Sequence, residues 1–296
     1  VTVNPAPQAG TDGNLTVCAN AADFNLIDEL GGSPWTTGSW TAPGGGASTG
    51  IFTPGTSPDG VYTYTVTGLA PCAPAIATVT VGVVVPPNPG TNGSVTVCSS
   101  DAAVDLFALL GGSPQPGGTW TAPGGGAHSG TYLPGTQIGG NYTYTVAGTA
   151  PCGPLSAVVQ VNRVIAPNAG TNGTITVCST NGPFDMLTAL GGNPNGTGFW
   201  LNASNQPVSG TFTPGTMPAG TYTYVVPGMA PCVDDSARVT VVVNQAPNAG
   251  TNASTVVCST DAAFPLIGVL GGTPDAGGQW TRPNGPPHSG TFTPGQ

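Results

Sequence analysis

The sequence repeats itself every 80 residues, and this period constrains the fold more than any other feature. Glycines, cysteines and tryptophans recur along the chain without insertion or deletion: Gly10, Gly90, Gly170, Gly250; Cys18, Cys98, Cys178, Cys258; Trp40, Trp120, Trp200, Trp280. A second series, Cys72, Cys152 and Cys232, keeps the same spacing. A fixed internal period indicates one structural unit that is used several times along the chain.

The repeat predicts where each domain begins and ends. Residues 1–4 match 241–244 and are predicted to be the last strand of a preceding repeat. Three complete repeats follow at 5–84, 85–164 and 165–244, and a truncated fourth repeat occupies 245–296. The next member of the second cysteine series would fall beyond Gln296, so we expect a longer array.

Composition indicates an all-β protein with many turns. Gly 48 and Pro 32 are abundant, yet charged residues make up only 5%. Disordered chains combine high charge with few β-branched and aromatic residues, whereas this chain alternates β-prone runs with glycine and proline.

Each unit is predicted to contain six or seven short strands. In the second repeat these include 94–98, 117–123, 130–135, 141–148 and 156–166, and a helical turn is expected within 101–112, with an irregular strand as the alternative. This content predicts tandem immunoglobulin-like β-sandwiches, with a barrel-like variant left open.

Aromatic residues are predicted to form the core of each unit. Successive side chains of a strand face opposite ways, so the tyrosines of the repeated YTYTV or YTYVV run share one face with the valine that follows. The predicted core aromatics are Trp40, Trp120, Trp200, Trp280, Tyr62, Tyr64, Tyr142, Tyr144, Tyr222 and Tyr224.

The seven cysteines pair most simply within repeats. The predicted disulfides are Cys18–Cys72, Cys98–Cys152 and Cys178–Cys232, and Cys258 is left to pair with a residue beyond the sequence. A metal site is disfavoured because the two cysteines of a unit lie far apart, no CxxC occurs and no histidine is present in every unit: His128 and His288 have Ser48 and Val208 as counterparts. Disulfides indicate an extracellular location.

Several functional classes are excluded by what the sequence lacks. The net charge is −9 and there is no lysine, so nucleic acid is not an expected partner. No apolar run is long enough to span a membrane. No catalytic set recurs between units, so we expect no enzyme activity, no cofactor and no metal site.

The segments that join the units are short and rich in proline, which favours semi-rigid spacing of the repeats along an extended rod. Residues 83–93, 164–173 and 242–253 have this character.

The second repeat, "TVCSSDAAVDLFALLGGSPQPGGTWTAP" followed by "GTYLPG", "YTYTV" and "APC", resembles the repeats of very large secreted surface proteins of Bacteroidota. These include gliding-motility-type adhesins exported by the type 9 secretion system. The resemblance covers essentially the whole chain and implies cell-surface attachment and long filamentous arrays. This chain departs from antibody-type domains because its second cysteine follows the YTYTV strand.

We therefore predict a structural stalk or filament segment of an extracellular adhesin. Its partners would be the neighbouring repeats, sister filaments or surface glycans. Two alternatives are that the repeats themselves bind glycans or another surface, and that they form an accessory array of a secreted enzyme.

Overall fold

The computed structural model describes residues 1–296 and is all-β, as predicted. Each of the first three repeats contains seven strands and one short 3₁₀ turn. The first repeat contains β1 (Gly13–Cys18), β2 (Phe24–Asn25), β3 (Ser39–Thr41), β4 (Ala47–Ser48), β5 (Ile51–Phe52), β6 (Gly60–Val66) and β7 (Ala75–Val84), with a turn at Leu26–Glu29.

The next two repeats follow the same order. The second contains β8 (Gly93–Cys98), β9 (Val104–Asp105), β10 (Thr119–Thr121), β11 (Ala127–His128), β12 (Thr131–Tyr132), β13 (Gly140–Val146) and β14 (Leu155–Val164), with a turn at Phe107–Leu109. The third contains β15 (Gly173–Cys178), β16 (Phe184–Asp185), β17 (Phe199–Leu201), β18 (Pro207–Val208), β19 (Thr211–Phe212), β20 (Gly220–Val226) and β21 (Asp235–Asn244), with a turn at Met186–Ala189.

The strands of each repeat form an immunoglobulin-like sandwich of two sheets. The larger sheet has the order β1-β7-β6-β3-β4, and the smaller pairs β2 with β5. β1 lies parallel to β7, with Gly13 opposite Val79 and Cys18 opposite Val84, whereas the other pairs are antiparallel. The second and third repeats have the same topology.

Alternation along the central strand fills the core, as the sequence predicts. On β6, Tyr62, Tyr64 and Val66 are buried, while Thr63 and Thr65 face outward and are half-buried. Each of the three complete repeats has its own hydrophobic cluster. No buried residue of the chain is polar or charged.

Both partial repeats lack strands at positions where complete repeats have them. Residues 1–4, predicted to be a last strand, form none, and neither do residues 253–258, which correspond to β1. Each position corresponds to one half of the parallel pair β1–β7, and the 296 residues contain no counterpart of the other half. The fourth repeat keeps β22 (Phe264–Pro265), β23 (Trp280–Thr281), β24 (Pro287–His288), β25 (Thr291–Phe292) and a turn at Leu266–Gly268.

The chain forms two compact units. The first contains Val1–Ala166 together with Met229–Cys232, and the second contains Pro167–Gly228 and Val233–Gln296. The last strands of the three complete repeats end at Val84, Val164 and Asn244.

Candidate functional site: the disulfide-linked junctions

The loop before the last strand of each repeat carries the second cysteine and is shaped by a glycine. In the second repeat, Cys152 donates its backbone N–H to the Thr149 carbonyl oxygen at 2.9 Å. A Cβ at Gly148 would lie 2.4 Å from the Gly153 carbonyl oxygen, which no side chain could tolerate. The peptide bond before Pro151 is cis, as it is at the equivalent prolines of the first and third repeats.

This loop reaches back to the end of the preceding repeat. The Cys152 Sγ lies 3.3 Å from the carbonyl oxygen of Val84, the last residue of β7. Val84 also pairs in register with Cys18. The end of one repeat and the loop of the next therefore bring Cys18 and Cys152 together.

Two disulfides connect consecutive repeats at these junctions. Cys18 of the first repeat is bonded to Cys152 of the second, with a Cα–Cα distance of 5.0 Å. Cys98 of the second repeat is bonded to Cys232 of the third, with a Cα–Cα distance of 4.9 Å. Both distances lie within the usual range for disulfides.

The predicted pairing within repeats, Cys18–Cys72, Cys98–Cys152 and Cys178–Cys232, is therefore wrong. Cys18 lies beside the C-terminal end of β7, whereas Cys72 precedes the N-terminal end of that strand by three residues. A ten-residue strand is roughly 30 Å long, and bonded cysteines need Cα atoms within about 7 Å. The two cysteines of one repeat thus lie at opposite ends of it.

Three cysteines are free: Cys72, Cys178 and Cys258. The Cys72 Sγ lies 3.7 Å from the carbonyl oxygen of Asn4, which is the position equivalent to Val84. Cys178 and Cys258 occupy the position of Cys18. Hydrogen bonds from the hydroxyls of Thr180 and Thr260 lower the pKa of the Cys178 and Cys258 thiols, respectively.

Near each disulfide, a backbone hydrogen bond joins the residue after the first cysteine to the last strand of the same repeat. The residue after the first cysteine donates its N–H to the last carbonyl of its own repeat, from Ala19 to Val84 at 2.9 Å and from Ser99 to Val164 at 2.7 Å. The Ser99 hydroxyl also accepts the N–H of Ala166 at 2.8 Å. These bonds fix the direction in which the chain leaves the sheet.

The core of each complete repeat is built around aromatic residues and contains no disulfide. In antibody-type domains a buried tryptophan packs on a disulfide that joins the two sheets. Here Trp40 packs on Tyr64 with ring centroids 4.8 Å apart, and none of the three core clusters contains a cysteine. The equivalent pairs are 5.1 and 5.0 Å apart in the second and third repeats.

The buried tyrosine hydroxyls are bonded to the backbone. Tyr62 donates to the carbonyl of Pro58, four residues upstream, at 2.8 Å. This contact matches the tyrosine corner of immunoglobulin domains. Tyr64 donates to the Trp35 carbonyl at 2.5 Å and accepts the N–H of Gly38 at 2.8 Å.

The aromatic residues that the sequence predicts for the core are buried in all three complete repeats. The residues Trp40, Trp120, Trp200, Tyr62, Tyr64, Tyr142, Tyr144, Tyr222 and Tyr224 are buried, and Trp280 of the partial repeat is half-buried.

The structure contains no cluster of side chains that could bind a metal ion. No group of three or more His, Cys, Asp or Glu side chains is placed to hold a metal ion. The depression between β15, β20 and β21 is lined mainly by Thr174, Thr221 and Thr240, with Arg238 as its one charged residue. No helix has the length and apolar character needed to cross a membrane.

No protein-family model and no curated protein matches the chain. Solved structures of tandem immunoglobulin domains resemble it. The titin I-band fragment I67–I69 is 11% identical with a TM-score of 0.44, over 79% of this chain and 97% of that one. The insect immune protein hemolin is 14% identical with a TM-score of 0.37, over 82% and 75%. Extracellular domains 3–5 of Drosophila OTK are 16% identical with a TM-score of 0.30, over 82% and 100%. At these values the similarity says nothing about what this chain does.

Proposed function

We propose that these repeats are a structural stalk or filament segment of a large extracellular surface protein, which holds binding regions away from the cell. The observation that carries this proposal is the pair of disulfides that tie each repeat to the next. A spacer needs strong connections between its units more than it needs a binding site. These bonds are placed at the connections and not inside the units.

Chemistry and composition support an extracellular location. Disulfides persist in oxidising compartments such as the extracellular space, and this chain has two of them. The surface carries little charge, with twelve acidic and three basic residues in 296.

We further propose that the chain belongs to an adhesin of the gliding-motility type, exported by the type 9 secretion system of Bacteroidota. The repeated cysteine, tryptophan and YTYTV motifs support this assignment through the resemblance described above. The neighbouring repeats would then be its main partners, and it would have no enzyme activity.

Stretching single molecules tests whether the array bears load. The chain is held at residues 1 and 296 and pulled with its disulfides intact, then again after reduction. Intact bonds leave only residues 1–18, 98–152 and 232–296 free to extend. At about 3.4 Å per residue we expect a final length of roughly 450 Å, against roughly 1,000 Å when reduced. Equal lengths in the two conditions would show that the bonds carry no load, and the stalk proposal would lose its basis.

Glycan binding by the repeats themselves is a second candidate, favoured by a row of hydroxyls on the outer sheet face. Thr41, Thr63 and Thr78 are paired in register across β3, β6 and β7. Neighbouring strands lie about 4.8 Å apart, so the three side chains form a neutral polar row.

A glycan array probed with the whole chain distinguishes the two candidates. A passive stalk gives no saturable binding. Saturable binding that is lost in Thr63→Glu, while unfolding is unchanged, would place adhesion in the repeats.

A further inference from the structure

The two disulfides close overlapping loops along the chain. Each bond spans 134 residues, from Cys18 to Cys152 and from Cys98 to Cys232. The loops share residues 98–152. Every peptide bond between Cys18 and Cys232 is therefore enclosed by at least one disulfide loop.

The enclosed region includes both linkers between the complete repeats, in which Pro87, Pro89 and Ala169 are buried and the first residue of each linker is exposed. Residues 85–90 and 165–170 belong to no strand, and Val85 and Ile165 are 79% and 65% exposed. Exposed connecting segments are the preferred sites of proteolytic cleavage. Disulfides within repeats would have left both linkers outside every loop.

We propose that the junction disulfides provide a second covalent path, which keeps the chain in one piece after the backbone is cut in either linker. A cut hydrolyses one peptide bond and leaves the two disulfide sulfurs unchanged. The fragment before a cut in the second linker still holds Cys98, and the fragment after it still holds Cys232. This inference rests on the bond topology and not on the stalk function.

The same topology gives each linker a parallel path for tension. A load applied at the two ends passes from Cys18 to Cys152 and, through residues 152 back to 98, on to Cys232. Residues 18–98 and 152–232, each of which contains one linker, are two longer paths between the same two disulfides and share the load.

A single engineered lysine makes this proposal directly testable, because the chain has no lysine of its own. Ile165→Lys creates one site for the lysine-specific endoproteinase Lys-C in the second linker. Gln245→Lys is the matched control, since it is exposed, stands 80 residues later and is enclosed by no disulfide. Free thiols are blocked before digestion in urea, and the products are separated under denaturing conditions with and without reductant.

The expected result differs between the two variants. Digested Ile165→Lys should run as one species without reductant and as fragments 1–165 and 166–296 with it. Digested Gln245→Lys should give two fragments in both conditions. Adding Cys98→Ser and Cys232→Ser to the Ile165→Lys variant should release its fragments without reductant. Separation of the Ile165→Lys fragments without reductant would overturn the proposal, and so would fragments that stay joined when both cysteines are replaced.

Discussion

Replacing the cysteines of one junction tests both the pairing and its energetic value. Cys98 and Cys232 are changed to alanine singly and together, in a chain whose three free cysteines are already alanine. The bond closes a loop of 134 residues, for which the chain-entropy model gives roughly 5 kcal/mol of stabilisation. Because this loop overlaps that of Cys18–Cys152, we expect about 4 kcal/mol.

Each single variant should lose this full amount, because either change removes the same bond. The double variant should then lose no more than either single variant, which gives a coupling energy of about 4 kcal/mol. Replacing Cys98 together with Cys152 removes two different bonds, so these losses should add to within about 1 kcal/mol.

Urea unfolding followed by tryptophan fluorescence measures these free energies, since Trp120 and Trp200 are buried in the cores of the second and third repeats, which this bond joins. Strong coupling between Cys98 and Cys152, with additive losses for Cys98 and Cys232, would refute the pairing across repeats.

Two further predictions concern the core. Gly130→Ala should destabilise the second repeat by about 1–3 kcal/mol in thermal or urea unfolding, because Gly130 has φ 89° and an added Cβ would lie 2.9 Å from the indole of Trp120. Gly126→Ala, where an added Cβ meets nothing within 4 Å, should change stability by less than about 0.5 kcal/mol; equal losses would contradict the packing argument. Burial raises the pKa of Tyr142 above its usual value of 10.0, with a smaller contribution from Tyr132. Its contribution to stability is therefore full below about pH 10 and is lost as the pH rises through the raised pKa. Absorbance of the phenolate and unfolding curves in alkaline buffer should show this loss, and it should be weaker in Tyr142→Phe.

Much of the fold could be predicted from local pattern. The alternation in residues 141–148 predicts β13 because one face of that strand is buried and the other is not. The segment 101–112 was harder, since its apolar spacing fits a helix. The structure divides it into the two-residue strand β9 and a 3₁₀ turn at Phe107–Leu109.

The disulfide pairing could not be predicted in the same way, because it depends on the direction of one strand. Had β1 been antiparallel to β7, Cys18 would lie near the start of β7 and close to Cys72. The parallel register places it at the other end, beside Val84. Strand direction within a sheet is set by the whole topology and leaves no mark on the residues of the strand itself.

The tyrosine corner was also missed. Tyr62 follows Pro58 by four residues, and the equivalent pairs in the later repeats are Tyr142 with Ile138 and Tyr222 with Pro218. The hydroxyl bonds to a backbone carbonyl, so the identity of the acceptor residue is free to vary and no shared side chain marks the contact.

The aromatic core has a consequence for the order in which this protein matures. Since the core cluster of each complete repeat contains no cysteine, each sandwich is expected to fold while its cysteines are still reduced. We therefore expect Cys18 and Cys152 to become neighbours only after both of their repeats have folded. We expect disulfide formation to follow folding, so that the folded structure determines which cysteines pair. The length of β7 separates Cys18 from Cys72 and prevents a disulfide between them.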